Sequence, residues 1–422
     1  IGADASNPGV TGVTRIGNTA TADLNLDGTV YSTDGATTFT AVSGGTIDLG
    51  GSSPTFTTSA DTITFGTADV KVANGTLTVN SVGGLIDFEG SILGTSDEVL
   101  VLNADGSGTD GASANEKVIV AAIGTGNQIH SVSITGRDGI TLEGNITTSN
   151  KASNNVSFTG PVSINAATVA IDTDATGNDG TVTFSSTIDS ATGTSRNLDI
   201  VSATGNVTVT GAIGATTALA SLDINQAGGD GDITLTSNIG ADASNPGVTG
   251  VTRIGNAATA DLNLNGTVYT TGGATTYASA GTDLGGSSPT FTTSADTITF
   301  GTGNVTIADG TLTVNSVGGL IDFEGSILGT SDEVLVLNAD GSGTDGASAN
   351  EKVIVAAIGT GNQIHSVSIT GRDGITLEGN ITTSNKASNN VSFTGPVSIN
   401  AATVAIDTDA TGNDGTVTFS ST

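Results

Sequence analysis

Most of this sequence occurs in two tandem copies. The segment IGADASNPGVTGVTRIGN begins at Ile1 and begins again at Ile239. Further on, the residues from Thr76 to Thr187 return without a difference from Thr311 to Thr422. Tandem copies of this kind are typical of repeat proteins, in which each unit packs mainly against its neighbours.

The two copies define the predicted organisation of the chain. The first repeat unit is 1–238, the second, truncated unit is 239–422, and a three-residue deletion near Ala41–Thr46 separates their registers. The chain begins at Ile1 and ends inside the second copy, so we expect it to be a piece of a longer tandem array. Its two units are expected to form one continuous fold.

A shorter pattern recurs inside the repeat. Two apolar residues alternate with other residues, and a Gly or Ser and a further apolar residue follow with the same alternation. It occurs at Leu24–Val30, Ile86–Ile92, Ile140–Ile146, Val182–Ile188, Val207–Ile213 and Ile233–Ile239. Alternation predicts a strand with one buried face, and the small residue predicts a bend where a larger side chain would not fit.

Most of these bent strands follow another short alternating strand, such as Val132–Ile134. Counting both kinds gives about ten steps in each repeat, or about 24 residues a step, which is a spacing found in solenoids. The sequence therefore predicts an all-β fold, an elongated right-handed parallel β-helix with Leu, Ile, Val and Phe stacked inside. The alternative is a string of antiparallel β-sandwich domains of about 100 residues each.

Composition agrees with an ordered, exposed and acidic protein. Hydrophobic residues make up 36% of the chain, there is no Cys, and 41 acidic against 10 basic residues give a net charge of −31. A surface of this charge repels nucleic acid and anionic lipid and keeps a large molecule soluble. No apolar run approaches the roughly 20 residues that a transmembrane helix needs.

Three segments carry a resemblance to a known group of proteins: Leu198–Gly214, Leu222–Gly240 and His130–Ile146. With their alternating strands and Gly bends, they resemble the filamentous-haemagglutinin-like adhesins, which are large repetitive exoproteins of bacteria. The resemblance covers nearly the whole chain. It implies a right-handed parallel β-helix that is secreted to the cell surface and serves adhesion or forms fibres.

The best candidate for a metal site is the segment DLNLDGTVYSTD. It matches the start of a calcium-binding loop through Asp23, Asn25, Asp27 and Gly28, with Asp34 at the twelfth place. On a strand, however, alternate acidic side chains point outward and do not wrap around an ion. The second copy has Asn and Gly where the first has Asp27 and Asp34. We therefore expect no cofactor, and folding that does not require calcium.

Three other acidic segments are also candidates for calcium binding: Asn103–Glu116, Asp172–Gly180 and Gly228–Asp232. Asp, Asn and Gly are also the usual residues of turns, which is the interpretation we favour. The histidines, His130 and its copy His365, have no Cys beside them, and a position at the surface or the edge of a coil is favoured over catalysis.

The remaining polar and aromatic residues point to structural roles. The pair Arg137-Asp138 predicts a turn with a local ion pair. Tyr31, Tyr269 and Tyr277 are the only tyrosines, so aromatic platforms for sugars or nucleic acids are scarce. The Phe residues mostly occupy alternating strands and are predicted to lie in the core.

Taken together, these observations predict a structural segment of a bacterial cell-surface or extracellular fibre or adhesin, acting as a rigid stalk or filament wall. The expected partners are further copies of the repeat, or of the subunit, joined end to end, and surface glycans or proteins of a host or neighbouring cell. We expect no nucleic acid partner, no transmembrane segment and no enzymatic activity. The alternative is a carbohydrate-active β-helix enzyme, a polysaccharide lyase or hydrolase.

The ladder spacing also predicts dimensions. Parallel strands lie about 4.8 Å apart, so a ten-step unit should span roughly 48 Å and the chain roughly 85 Å. No capping element is evident at Ile1 or Thr422. We therefore expect more of the same coil to continue the native ends, since an open strand edge invites pairing.

Overall fold

Short parallel strands build the whole of the described chain. The computed structural model describes residues 1–422 apart from 4–6, 60, 96, 106–114, 176, 227, 243, 295, 331, 341–349, 411–412 and 422. The described residues contain strands, turns and bends but no helix, and they form two compact units, Ile1–Val209 and Thr210–Thr422. Each unit is a parallel β-solenoid with three strand positions per coil. The predicted solenoid is confirmed, and the antiparallel sandwich alternative is wrong.

In the first unit, successive coils stack into three parallel sheets. The strands of the first sheet are β1 (Thr14–Gly17), β4 (Thr37–Thr40), β7 (Ile63–Phe65), β10 (Ile86–Phe88), β13 (Lys117–Val120), β15 (Gly139–Leu142), β18 (Val162–Ile164) and β23 (Ile188–Ser190). Those of the second sheet are β2 (Asp23–Asn25), β5 (Thr46–Leu49), β8 (Asp69–Val72), β11 (Ile92–Leu93), β16 (Ile146–Thr147), β19 (Thr168–Asp172) and β24 (Asn197–Val201). Those of the third sheet are β3 (Val30–Thr33), β6 (Thr55–Thr58), β9 (Thr76–Ser81), β12 (Val99–Asn103), β14 (Ser131–Thr135), β17 (Val156–Thr159), β22 (Val182–Phe184) and β25 (Val207–Val209). An antiparallel hairpin joins β20 (Asp174–Ala175) to β21 (Asn178–Asp179).

The second unit has the same three-sheet plan, and its sheets are numbered to follow the repeated sequence. The strands of its first sheet are β26 (Ser221–Ile224), β28 (Thr252–Gly255), β31 (Thr275–Ala278), β34 (Ile298–Phe300), β37 (Ile321–Phe323), β40 (Lys352–Val355), β42 (Gly374–Leu377) and β45 (Val397–Ile399). Those of the second sheet are β27 (Ile233–Leu235), β29 (Asp261–Leu264), β32 (Gly281–Leu284), β35 (Asn304–Ile307), β38 (Ile327–Leu328), β43 (Ile381–Thr382) and β46 (Ile406–Asp407). Those of the third sheet are β30 (Val268–Thr271), β33 (Thr290–Thr293), β36 (Thr311–Ser316), β39 (Val334–Asn338), β41 (Ser366–Thr370), β44 (Val391–Thr394) and β49 (Val417–Phe419). A hairpin joins β47 (Asp409–Ala410) to β48 (Asn413–Asp414).

Coil length varies while the strand register stays constant. Along the first sheet of the first unit, seven steps lead from Thr14 to Ile188, which gives about 25 residues a coil. The longest step pairs Ile86 with Val118, and the shortest steps include the one from Val118 to Ile140. The additional residues of the long step fall between β12 and β13 in the sequence.

Inward side chains of successive coils form ladders of aromatic rings. In the first sheet, the rings of Phe39 and Phe65 stack with centroids 5.1 Å apart, and those of Phe65 and Phe88 stack at 4.4 Å. Across the core, Phe56 of the third sheet meets Phe65 edge to face at 5.2 Å. All four rings are at most 1% exposed, so the predicted core role of these Phe residues is confirmed. Offset-stacked and edge-to-face pairs are the favoured arrangements of aromatic rings.

The small residue of the bent-strand pattern lies where two coils approach each other closely. A Cβ atom on Gly90 would stand 2.1 Å from the carbonyl oxygen of Ala68, and one on Gly144 would stand 2.6 Å from the amide nitrogen of Ala122. Neither glycine has a positive φ, so space and not backbone conformation selects a residue without a side chain.

Polar side chains at corners and at strand ends bond the backbone of the following coil. Asn145 Oδ1 accepts a hydrogen bond from the Ala170 amide at 2.9 Å, and Asp69 Oδ1 accepts one from the Ser91 amide at 3.2 Å. These bonds satisfy N–H groups where the strand ladder is interrupted, and buried amides must find such partners. The frequent Asn and Asp residues at corners thus join coils as well as forming turns.

The three-residue deletion of the second copy changes the core locally. Ile47 in the first copy is fully buried, and its counterpart Thr282 is also buried, at 3% exposure. The Thr282 hydroxyl lies 2.9 Å from the Ser279 hydroxyl, which also donates to the Gly281 carbonyl at 2.7 Å. A buried hydroxyl is tolerated because it has a hydrogen-bond partner.

We predict that the aromatic ladder is a main source of stability. Phe65→Ala should lower the free energy of unfolding by about 3–5 kcal/mol, because it removes a buried ring between two others. Phe65→Leu, the control, should cost less than about 1.5 kcal/mol. Urea unfolding followed by circular dichroism measures both values, and hydrogen exchange should show the loss concentrated in β4, β7 and β10. Equal losses in the two variants would contradict this role.

Candidate functional site

The structure uses the candidate calcium ligands to connect coils. Asp23 Oδ1 accepts hydrogen bonds from the amide and the hydroxyl of Thr46, both at 3.1 Å. The carboxylate of Asp34 bonds the hydroxyl of Ser59, also in the next coil. These two carboxylates therefore act as acceptors for neighbouring residues.

Asn25 and Asp27 are exposed, and Asp27 lies over the next corner, where a Cβ atom on Gly50 would stand 2.3 Å from Asp27 Oδ1. Within the part of the chain that the structure describes, no group of three or more His, Cys, Asp or Glu side chains is arranged to hold a metal ion.

Two of the other three acidic segments are only partly described. In Asn103–Glu116, residues 106–114 lie outside the described residues, and in Asp172–Gly180 the hairpin β20–β21 occupies the described part. In Gly228–Asp232, the carbonyl of Asp230 accepts a hydrogen bond from the Ala260 amide at 3.1 Å. The hairpin and this bond are both contacts of the backbone.

The two histidines occupy equivalent half-buried sites. His130 Nε2 lies 2.9 Å from the Ala152 carbonyl, and His365 Nε2 lies 3.0 Å from the Ala387 carbonyl. Each contact joins residues that are 22 positions apart, and therefore joins successive coils.

The turn predicted at Arg137-Asp138 is present, but Arg137 also reaches another coil. Its Nη1 atom lies 3.4 Å from Oε2 of Glu116, which is largely buried. Asp138 Oδ2 accepts a hydrogen bond from the Glu116 amide at 2.9 Å. Both residues of the turn thus contact Glu116, a connection that the local reading of the sequence missed.

A second missed residue is Glu98, which is 1% exposed. Its carboxylate accepts hydrogen bonds from the Thr95 amide at 2.5 Å, the Thr95 hydroxyl at 2.6 Å and the Asp97 amide at 3.2 Å. Burial by itself would raise the pKa of Glu98, but these hydrogen bonds hold it below its ordinary value. The group closes a turn and supports the entry into β12.

A shallow groove crosses the first sheet of the first unit and is the best candidate for a binding site. It has a volume of about 280 Å³, and its polar lining includes Lys117, Asp138, Thr141, Ser163 and Asp189. One ammonium group, two carboxylates and two hydroxyls can hydrogen-bond a polyhydroxylated ligand. These residues come from β13, β15, β18, β23 and one corner, so only the coil register brings them together.

Three carboxylates form a cluster elsewhere on the same sheet: Asp87, Glu89 and Glu143. Partial burial, and then the negative charges of Glu89 and Glu143, raise the pKa of Asp87 to about 6. The same causes raise the pKa of Asp322 in the second copy. Asn165 donates a hydrogen bond to Glu143 at 2.9 Å.

No helix long and apolar enough to cross a membrane occurs among the described residues.

We predict that ionised Asp87 and Asp322 destabilise the fold at neutral pH. Their pKa values are raised in the folded state, so the stability they contribute is present at low pH and is lost as the pH rises through the raised pKa, which for Asp87 is about 6. Replacing both by Asn should raise the free energy of unfolding at pH 7 by about 1 kcal/mol, a value discounted for solvent screening. At about pH 4 the change should be small.

Urea unfolding at both pH values measures this difference. Asp27→Asn is the matched control for the loss of one carboxylate, because the second copy carries Asn265 at that position. A double variant that is less stable than the parent protein at pH 7 would contradict the prediction.

Comparison with known proteins found no match for this chain. No family model matches it. No curated protein and no solved structure matches it either. The groove, the carboxylate cluster and the regular coils are therefore the features from which a function must be argued.

Proposed function

We propose that this chain is a structural segment of a bacterial cell-surface or extracellular fibre or adhesin, acting as a rigid stalk or filament wall. The observation that carries the proposal is the regularity of each unit. Inward ladders continue from coil to coil, as in the row Ile63, Ile86, Val118 and Ile140. A solenoid of this kind extends by adding coils, since each coil needs only its neighbours.

The duplication supports the same proposal. The residues from Thr76 to Thr187 are repeated without a difference, so whatever the segment does, it does in both copies. Repetition of whole coils increases length, whereas a catalytic site is usually built once on an elaborated coil. The corner bonds of Asp23 and Asn145 likewise serve the joining of coils.

The surface also suits a solvated, repetitive segment. The chain carries a net charge of −31, spread along its length, which opposes nonspecific aggregation. Under this proposal, further repeats of the same coil join end to end, and surface glycans or proteins of other cells are the adhesive targets.

The test is to locate the parent protein on intact cells. Immunogold labelling with antibodies against this segment should place it outside the cell envelope, and protease added to whole cells should remove the label. Images of isolated fibres should show an axial repeat of about 45 Å, set by stacked coils of about 25 residues. Label confined to the cytoplasm, in cells permeabilised as a control, would overturn the proposal.

The groove supports a second candidate, a carbohydrate-active enzyme of the lyase or hydrolase class. Paired carboxylates can act as general acid and base on a polysaccharide, and a lysine can bind an acidic sugar. The groove holds Asp138, Asp189 and Lys117. However, Lys117 and Asp138 have identical counterparts in Lys352 and Asp373, as expected of a repeated structural surface.

An activity assay separates the two candidates. The chain is incubated with a panel of neutral and acidic polysaccharides, and new reducing ends or unsaturated products are measured. The structural proposal expects no product above background. Product formation that Asp138→Asn with Asp373→Asn abolishes, and that Asp27→Asn leaves intact, would establish the enzyme instead.

A further inference from the structure

One sheet of each unit carries no charged residue. In the first unit, the third-sheet strands β3, β6, β9, β12, β14, β17, β22 and β25 contain no Asp, Glu, Lys, Arg or His. The same is true of the third-sheet strands of the second unit, from β30 to β49. The structure describes all of these third-sheet strands in full.

The outward side chains of this sheet form two regular rows. In the first unit, one row runs through Thr55, Thr78, Val101, Ser133, Ser157 and Thr183. The parallel row runs through Thr57, Asn80, Asn103, Thr135 and Thr159. All of these residues are partly or fully exposed, and all are small, uncharged and able to pack closely.

The other two sheets of the first unit differ in charge. The second sheet presents Asp48, Asp69 and Lys71 on adjacent strands, and the first sheet presents Asp87 and Asp189. In a chain with a net charge of −31, the third sheet is therefore the face on which a second acidic molecule meets least repulsion. Charges beyond about 8–10 Å are already screened at physiological salt.

We propose that the uncharged third-sheet face docks against the same face of a second copy of this chain. The partner is identified by the spacing of the outward rows from coil to coil. Rows that repeat at every coil, about 4.8 Å apart, match over many coils only with a surface of the same spacing, and a second copy has it. Identical faces can also pair about a two-fold axis, with each row meeting its own counterpart.

The chemistry of the rows suits this contact. Thr and Val methyl groups can interdigitate between two sheets that lie about 10 Å apart, while hydroxyl and amide groups hydrogen-bond across the contact. Seven or eight strands of about four residues present roughly 450 Å² in each unit, below the roughly 800 Å² per partner of a standard interface. The association of this chain is therefore weak and reversible.

This lateral contact goes beyond the proposed stalk function and does not depend on the location of the parent protein. Sedimentation velocity of the 422-residue chain, from about 10 µM to about 1 mM, tests it directly. The measurement is made at about 0.05 M and about 0.5 M NaCl. We expect reversible self-association that is several-fold stronger at the higher salt concentration, because screening weakens the repulsion between acidic flanks.

Matched variants locate the face. Thr78→Glu with Thr313→Glu places one charge in each third sheet and should weaken the association at least tenfold. Thr38→Glu with Thr276→Glu makes the same change on the first sheets and should leave the association as in the parent protein. If circular dichroism shows that the first variant has lost strand content, Ser133→Glu with Ser368→Glu provides the same test.

A chain that stays monomeric throughout the concentration range would overturn the proposal. It would also be overturned by association that weakens with salt, or by equal effects of the two pairs of variants. The outcome is separate from that of the labelling experiment, since a surface stalk can exist without lateral pairing.

Discussion

Parallel hydrogen bonding between successive coils sets the position of every side chain in each unit. Because the pairing is in register, the residue above a Phe in one coil is the residue at the same place in the next, as for Phe39, Phe65 and Phe88. Side chains at the same strand position therefore stack on one another, and the core becomes a set of ladders. Rings that stack on neighbours above and below leave few cavities between them. Close packing of this kind stabilises the narrow core of a solenoid.

The same constraint explains the polar residues at the corners. Where the chain leaves one sheet for the next, backbone amides lose their ladder partners, and side chains such as those of Asp23, Asp69 and Asn145 accept their hydrogen bonds. An acidic or amide residue at such a corner thus serves the stacking of coils. A pattern that resembles a calcium loop in sequence becomes, in the fold, a set of contacts between neighbouring coils.

The register also determines which outward-facing residues lie side by side on the surface. Outward rows run across many coils. When the same kind of residue occupies one strand position in successive coils, it forms a continuous stripe. The third sheet has small uncharged residues in its rows, while the first sheet brings Lys117, Asp138 and Asp189 around one groove. Under the proposed docking, the acidic sheets of each unit stay in contact with water.

Alternation of apolar residues by itself determined the strands and the burial of their Phe residues, because a period of two gives each strand one buried face. The recurrence of the bent-strand pattern at about 24 residues a step favoured the parallel coil. Close approach at Gly90 was likewise implied by the small residue in the pattern. The contact of Arg137 with Glu116, the groove and the raised pKa of Asp87 were decided only by the tertiary structure. Each depends on which residues of separate coils lie side by side, and that pairing follows from corner lengths that local sequence patterns do not specify.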